Sequence, residues 1–228
     1  MQPEYSESYF KTRFREDDVR LKSWKHLTRY LQRYISEQET ILELGAGYGY
    51  FINEIKAQSK YAIDLFEGLG EYCQPDVKYH IGNVTDLSAF KTSTVDIFFA
   101  SNLLEHLDRN DLDKLMLEVS RVGKPNCKFI LIQPNYRYCS KRYFDDYTHL
   151  TIFSDVSIRD WMSTKGFNCI KSQPRFLPLT VKSRGRFLVG LLPLYLRSPI
   201  KPIAGQMFLI FSKSEELEKN LLQSGIYK

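Results

Sequence analysis

The chain has 228 residues, 43% of them hydrophobic and 26% charged, with a net charge of +5. That length accommodates one α/β domain with a full core, and no internal repeat, low-complexity tract or interdomain linker divides it. No apolar run reaches the roughly 18 residues a membrane span requires, and the start Met-Gln-Pro-Glu-Tyr-Ser-Glu lacks a signal peptide's basic and apolar regions.

Cys73, Cys127, Cys139 and Cys169 show no C-x-x-C spacing and read as reduced thiols, so a cytoplasmic protein is expected. From residue 1 to about 36 the chain reads as a helical extension. Val19, Trp24, Leu27, Leu31, Tyr34 and Ile35 approximate one helical face, which is expected to pack on the rest of the domain.

Ile41-Leu-Glu-Leu-Gly-Ala-Gly-Tyr-Gly49 joins an apolar run to three glycines. Such a run reads as a buried strand, and the glycines allow a sharp turn whose N–H groups stay open to a ligand. Residues 50–56 would then open a helix pointing its N-terminus at that ligand. A dinucleotide fingerprint is spaced G-x-G-x-x-G. Here Gly45, Gly47 and Gly49 fall two apart, with Glu43 just upstream. The segment therefore resembles motif I of the class I S-adenosylmethionine (SAM) dependent methyltransferases, whose cofactor carries an ammonium in place of a pyrophosphate. That resemblance implies a cofactor site at Glu43, Gly45, Ala46 and Gly47. A plain strand-to-helix turn is the alternative.

Tyr-Ala-Ile-Asp64 is a second short apolar run ending in a carboxylate nineteen residues past Gly45. In doubly wound folds an acid at that place accepts hydrogen bonds from ribose hydroxyls; a turn or cap aspartate is the other reading. His80-Ile-Gly-Asn-Val-Thr-Asp-Leu87 matches the third-strand segment of these methyltransferases, where an acid and the next backbone N–H read adenine. Asn83 stands in the acid's place, followed by Val84, and Asp86 competes for the role.

Val95-Asp-Ile-Phe-Phe-Ala-Ser-Asn-Leu-Leu-Glu-His-Leu107 resembles motif IV. It implies Ser101 and Asn102 beside the methionine end of SAM and the pair Glu105 and His106 at the start of the next helix, with His106 a general base for a hydroxyl acceptor or a structural histidine. Leu112, Leu115, Met116, Val119 and Val122 recur at helical spacing up to Gly123-Lys-Pro125, a stop signal. A fifth strand is predicted over 127–132, a helix over 154–165, a sixth strand over 167–173 and a seventh over 205–212. The fold expected is a doubly wound, seven-stranded Rossmann-like sheet, a single methyltransferase domain over 1–228.

Residues 134–149, after the fifth strand, read as a loop over the strand ends. Arg137, Tyr138, Tyr143, Asp145, Asp146, Tyr147 and His149 would form a pocket wall suited to a polyhydroxylated acceptor. The segment resembles the acceptor region of methyltransferases associated with bacterial surface polysaccharides. That implies a small-molecule or lipid-linked sugar acceptor, with His106 or His149 taking its proton and Asp146 assisting. Asp145 or Asp146 with His149 supplies too few donors for a metal alone, so no metal site is assigned.

Residues 174–206 hold six basic residues and no acid, so the remainder of the chain is close to neutral. The apolar stretch 187–196 within this insert would lie in a membrane interface, cover a lipid-linked substrate, or pack against the sheet or a dimer partner. Peripheral contact with the inner face of a membrane is one expectation from it. Tyr9-Phe-Lys-Thr-Arg-Phe-Arg15 resembles the lid of related enzymes; an ordinary extension is the alternative. No nucleic-acid recognition motif appears, so no nucleic-acid partner is expected. A non-catalytic SAM-binding or assembly protein and an NAD(P)-dependent oxidoreductase stand as the rival functions.

Overall fold

The computed structural model of the protein describes residues 18–179 and 189–214. The lid-like segment 9–15 and residues 180–188 of the basic insert lie outside them. Helix α1 (Asp18–Leu31) opens the described chain and passes through a 3-10 turn into β1 (Thr40–Leu44). β2 (Ser59–Asp64), the short α2 (Leu69–Tyr72), β3 (Val77–Ile81) and β4 (Val95–Ser101) follow. Then come α3 (Arg109–Val122), β5 (Gly123–Pro134), α4 (Tyr136–Tyr143), α5 (Ser157–Thr164), β6 (Phe167–Pro178), α6 (Leu192–Arg197) and β7 (Ala204–Lys213).

The strands form one seven-stranded sheet in the order β3-β2-β1-β4-β5-β7-β6. β1 to β5 pair in parallel, whereas β7 runs antiparallel between β5 and β6. This is the expected doubly wound architecture. Its strand order reverses between β1 and β4, which opens a crevice at their carboxyl ends.

Alternation along the strands builds one core on each face. Leu42, Leu44, Phe98, Ala100, Phe129 and Leu131 meet Leu112, Leu115, Met116 and Val119 of α3. On the opposite face Ile41, Ile97, Phe99, Ile130 and Ile132 meet Leu27 and Leu31 of α1. The N-terminal helical face thus packs on the sheet as its periodicity requires. Trp24 sets its ring edge-on to Phe51 at 6.3 Å and to Phe99 at 6.2 Å, and those two phenyl rings stack at 3.7 Å. Asp108 caps α3 by accepting from the Asp111 N–H at 2.9 Å, which fixes where motif IV ends and the helix begins.

Several expectations change. Residues 50–54 form hydrogen-bonded turns and 55–56 are irregular, so no regular helix opens there. Gly49 adopts φ 64°, and the two helical bonds, Asn53 N–H to Gly49 O and Ile55 N–H to Phe51 O, are not extended because β2 starts at Ser59. The segment after β5 is not a loop throughout, since α4 occupies its first half, with Asn135 capping it by accepting from the Arg137 N–H at 3.3 Å. The insert is shorter than its composition implied: residues 174–178 belong to β6 and 204–206 to β7, leaving 179–203 between the strands. Gly123 both ends α3 and begins β5, so the stop signal doubles as the start of a strand.

Replacing Phe99 with Ala removes a fully buried ring at the junction of α1, the glycine turn and β4. It should cost about 3–5 kcal/mol, read as a lower urea midpoint with an unchanged m-value.

Candidate active site

The crevice at the carboxyl ends of β1 and β4 widens into a cavity of about 460 Å³, within the range of small-molecule sites. Glu43, Gly45, Ala46, Gly47, Asp64, Asn83, Val84, Ser101 and Asn102 all line it. The topology therefore gathers every residue expected around a cofactor into one cavity.

The glycine turn differs from its expected form in one respect. Its amides are spent internally: Gly45 and Ala46 donate to Ile63 O at 2.9 and 3.2 Å, and Gly49 donates to Ala46 O at 2.9 Å. Gly47 donates to Asp64 Oδ2 at 2.7 Å, while Asp64 Oδ1 accepts from the Phe66 N–H at 2.9 Å. The turn is held by left-handed backbone at Gly45, φ 71°, where an added Cβ would stand 3.0 Å from Leu103 Cδ1. With those N–H groups occupied, this wall offers carboxylates and carbonyls. It suits a ligand that brings donors, such as an ammonium and ribose hydroxyls, and not a pyrophosphate that needs them.

Burial pushes the Glu43 carboxyl well above its ordinary range, against one hydrogen bond from the Ile52 N–H at 3.0 Å. Burial also raises Asp64, opposed by the backbone donors around it. A cationic ligand at this wall would favour the ionised forms of both. Asn83 turns its Oδ1 onto the Thr85 N–H at 3.0 Å, beside the buried Val84. The competing Asp86 is outside the cavity; it accepts from the Ser88 N–H at 3.0 Å on the surface near Arg121.

Asn102 follows β4 with φ 51°, and its Oδ1 accepts from Gln206 Nε2 at 3.0 Å. Gln206, on β7, lines the cavity and was not singled out from sequence. Its signal is a polar residue opening an otherwise apolar strand. Arg20, Ser23 and Trp24 of α1 also reach the cavity, so the N-terminal helix forms part of its wall.

The opposite wall combines a 3-10 turn, Leu104–His106, with the chain that follows α4. Of the residues expected there, Tyr143, Asp145, Asp146, His106 with its neighbour Glu105, and His149 line the cavity, together with the unanticipated Arg142. Arg137, Tyr138 and Tyr147 do not. Helix α4 carries Arg137 to an ion pair with Asp155 at 3.6 Å and Tyr138 beneath Arg175, whose guanidinium stands 5.0 Å from the ring; Tyr147 is exposed.

His106 and His149 face each other with ring centroids 5.0 Å apart, and Tyr143 packs on His149 at 4.5 Å. Tyr143 is anchored by donating its hydroxyl to Thr151 O. Burial and the neighbouring His149 push His106 down to about 4, so its imidazole is neutral near pH 7. Burial pushes Glu105 up to about 8. Burial raises Asp146, but two hydrogen bonds from Thr148 and the adjacent imidazoles outweigh it and hold the carboxyl below its usual range.

Residues 42–131 match the family model described as a methyltransferase domain. Among solved structures, a SAM-dependent methyltransferase from Archaeoglobus fulgidus is similar at 17% identity and TM-score 0.62, covering 92% of this chain and 99% of that one. A Burkholderia thailandensis 1,6-didemethyltoxoflavin-N1-methyltransferase, solved with S-adenosylhomocysteine, is similar at 16% identity and TM-score 0.61, covering 93% of this chain and 86% of that one. A chain from the Haloferax volcanii complex of the Trm112 activator with a methyltransferase is similar at 15% identity and TM-score 0.66, covering 86% and 92%. No curated protein matches the chain.

The sheet order and the matched segment give the chain a methyltransferase domain over 42–131, seated on this fold. The neighbours whose cofactor is named are SAM-dependent or were solved with S-adenosylhomocysteine.

Asp64→Ala removes the carboxylate that braces the glycine turn and lines the cofactor wall. SAM binding measured by calorimetry should weaken at least about tenfold, in line with loss of charge-assisted hydrogen bonds, while NADH binds to neither protein.

Proposed function

We propose that the chain, as a single domain over 1–228, methylates a hydroxyl of a small-molecule or lipid-linked acceptor, with a sugar favoured. The observation that carries this reading is the composition of the wall facing the cofactor side: Arg142, Tyr143, Asp145, Asp146 and His149 offer donors, acceptors and an aromatic face together. Such a mixture fits an acceptor rich in hydroxyls.

In this reading Glu43 takes the methionine ammonium, and Gly45, Ala46 and Gly47 shape the bed for the methionine portion. Asp64 accepts from the ribose hydroxyls, and Asn83 with the Val84 amide meets the adenine edge. Ser101 and Asn102 flank the sulfonium end. The acceptor oxygen is activated beside the His106 and His149 pair, with Asp146 acting through Thr148. It attacks the methyl carbon as the C–S bond breaks and its electron pair passes to sulfur, giving S-adenosylhomocysteine and releasing the hydroxyl proton. Alignment at near-contact distance supplies most of the acceleration.

The insert supports a cytoplasmic enzyme working at a membrane face, where a lipid-linked acceptor would be met. Leu191, Leu194, Ile200 and Ile203 are exposed beside Arg197 and Lys201, a pairing suited to an anionic interface. No described helix is long and apolar enough to cross a membrane.

Transfer of a labelled methyl group from SAM to a panel of nucleotide sugars and lipid-linked saccharides tests the reading. An Asp146→Ala, His149→Ala double variant should lose about 100-fold or more in turnover, the usual scale of proton-handling groups, with SAM affinity within about threefold. Unchanged turnover on an accepted sugar would remove these residues from the reaction.

A further inference from the structure

Glu105 is 1% exposed and lines the cavity, yet neither carboxylate oxygen has a hydrogen-bond partner among the described residues apart from its own amide. A buried carboxylate left in that state is costly unless it is protonated or meets a cation. Two imidazoles stand beside it: one ligand atom each from Glu105, His106 and His149 lie within 4.8 Å of one another.

Proton counting shows how His106 is presented. The Thr148 hydroxyl spends its single proton on Asp146 Oδ1 at 2.6 Å. Towards His106 Nδ1, 2.9 Å away, that oxygen therefore acts as an acceptor. The Thr148 carbonyl, 3.2 Å from the same nitrogen, is an acceptor as well. Nδ1 must carry the proton, which leaves the lone pair of the neutral ring on Nε2. A histidine that donates one nitrogen to a carbonyl or carboxylate-linked group and offers the other as a lone pair has the arrangement found behind metal-ligating imidazoles.

We infer that Glu105, His106 and His149 form a binding site for one divalent first-row transition ion on the acceptor wall of the cavity. Two imidazoles and one carboxylate select an ion of the zinc, cobalt or iron type over magnesium, which prefers an all-oxygen shell. Bonds of about 2.0–2.2 Å set ligand atoms about 3.4 Å apart around a tetrahedral ion, so each atom moves inward by less than about 1 Å. The ion would displace the proton from Glu105 and leave a coordination position open to the cavity. It lies where the proposed function places the acceptor oxygen, so this inference rests on that reading for its role: an ion there draws electron density from a bound hydroxyl, whose proton passes to solvent before the oxygen takes the methyl group.

The test uses the full chain stripped with a chelator and titrated with Co2+, read by calorimetry and by visible d–d absorption, with Zn2+ as competitor. One equivalent is expected per chain, displaced by Zn2+. Glu105→Ala and His149→Ala should each weaken it at least tenfold and alter the spectrum. Thr148→Val, which keeps all three ligands, should weaken it by about 10-fold to 100-fold. His80→Ala, altering a histidine on the exposed edge strand β3, should leave it unchanged. Failure of wild-type protein to take up one equivalent, or equal affinity in the Glu105→Ala and His149→Ala variants, overturns the inference. SAM calorimetry on the same samples separates the two readings. SAM binding without ion binding sinks the metal site alone; ion binding without SAM binding leaves the site standing and sinks the methyltransferase chemistry.

Discussion

The carboxylate of Asp64 holds together the part of the molecule on which the remainder depends. One oxygen takes the Gly47 amide from the turn after β1, and the other takes the Phe66 amide just beyond β2. The neighbouring ends of β1 and β2 are thereby fastened together beside the crevice by a single side chain. Hydrogen bonds to a charged group contribute about 1.5–3 kcal/mol each, and these two act where the sheet has run out of ladder bonds. Glu43 does the corresponding task from below by accepting the Ile52 amide. The acids on this side of the cavity are therefore structural members as well as lining groups.

The facing wall is built on a different principle. Glu105 and His106 sit on a 3-10 turn, and Thr148 and His149 come from the chain after α4, more than forty residues later. The two pieces are stitched by the Thr148 contacts to His106 and by Leu150 and Thr151 amides donating to Glu105 O at 2.7 and 3.1 Å. Precision on the cofactor side thus comes from strands, and on the acceptor side from side-chain bonds between connecting segments. Such connections vary more readily than strands do.

Much of the fold was legible because burial on both faces of β1, β4 and β5 forces near-continuous apolar runs, and the alternation of those runs with helical periodicity leaves little choice of architecture. That the glycine turn and Asp64 meet at one cavity was legible for a related reason: Gly45, Gly47 and Asp64 lie at fixed offsets set by one strand, one turn and one crossover. The acceptor wall was only half legible. Local order of residues 137–149 cannot tell which ones α4 turns outward, and Tyr138 and Arg137 were lost to its outer face in this way. Glu105 was legible only as the neighbour of His106, because an acid next to a histidine gives no sign of burial until tertiary packing supplies it. Gln206 lies 104 positions from its partner Asn102, a separation at which spacing carries no information.

The position of β7 has a consequence for how the molecule is made. β6 pairs only with β7, and β7 alone connects it to β5. While the ribosome is still delivering residues up to about 203, β6 has no edge to join and the outer edge of β5 lies uncovered. The two last strands must enter as one antiparallel unit, after which Gln206 reaches Asn102 and the cavity wall closes. A nascent chain can already have folded the glycine turn and the first five strands by then, since domains acquire structure as they emerge at about 5–20 residues per second. The wall at Asn102, and with it the full grip on a ligand there, awaits the arrival of the final strand, so occupancy of the pocket doubles as a report that synthesis has run through β7.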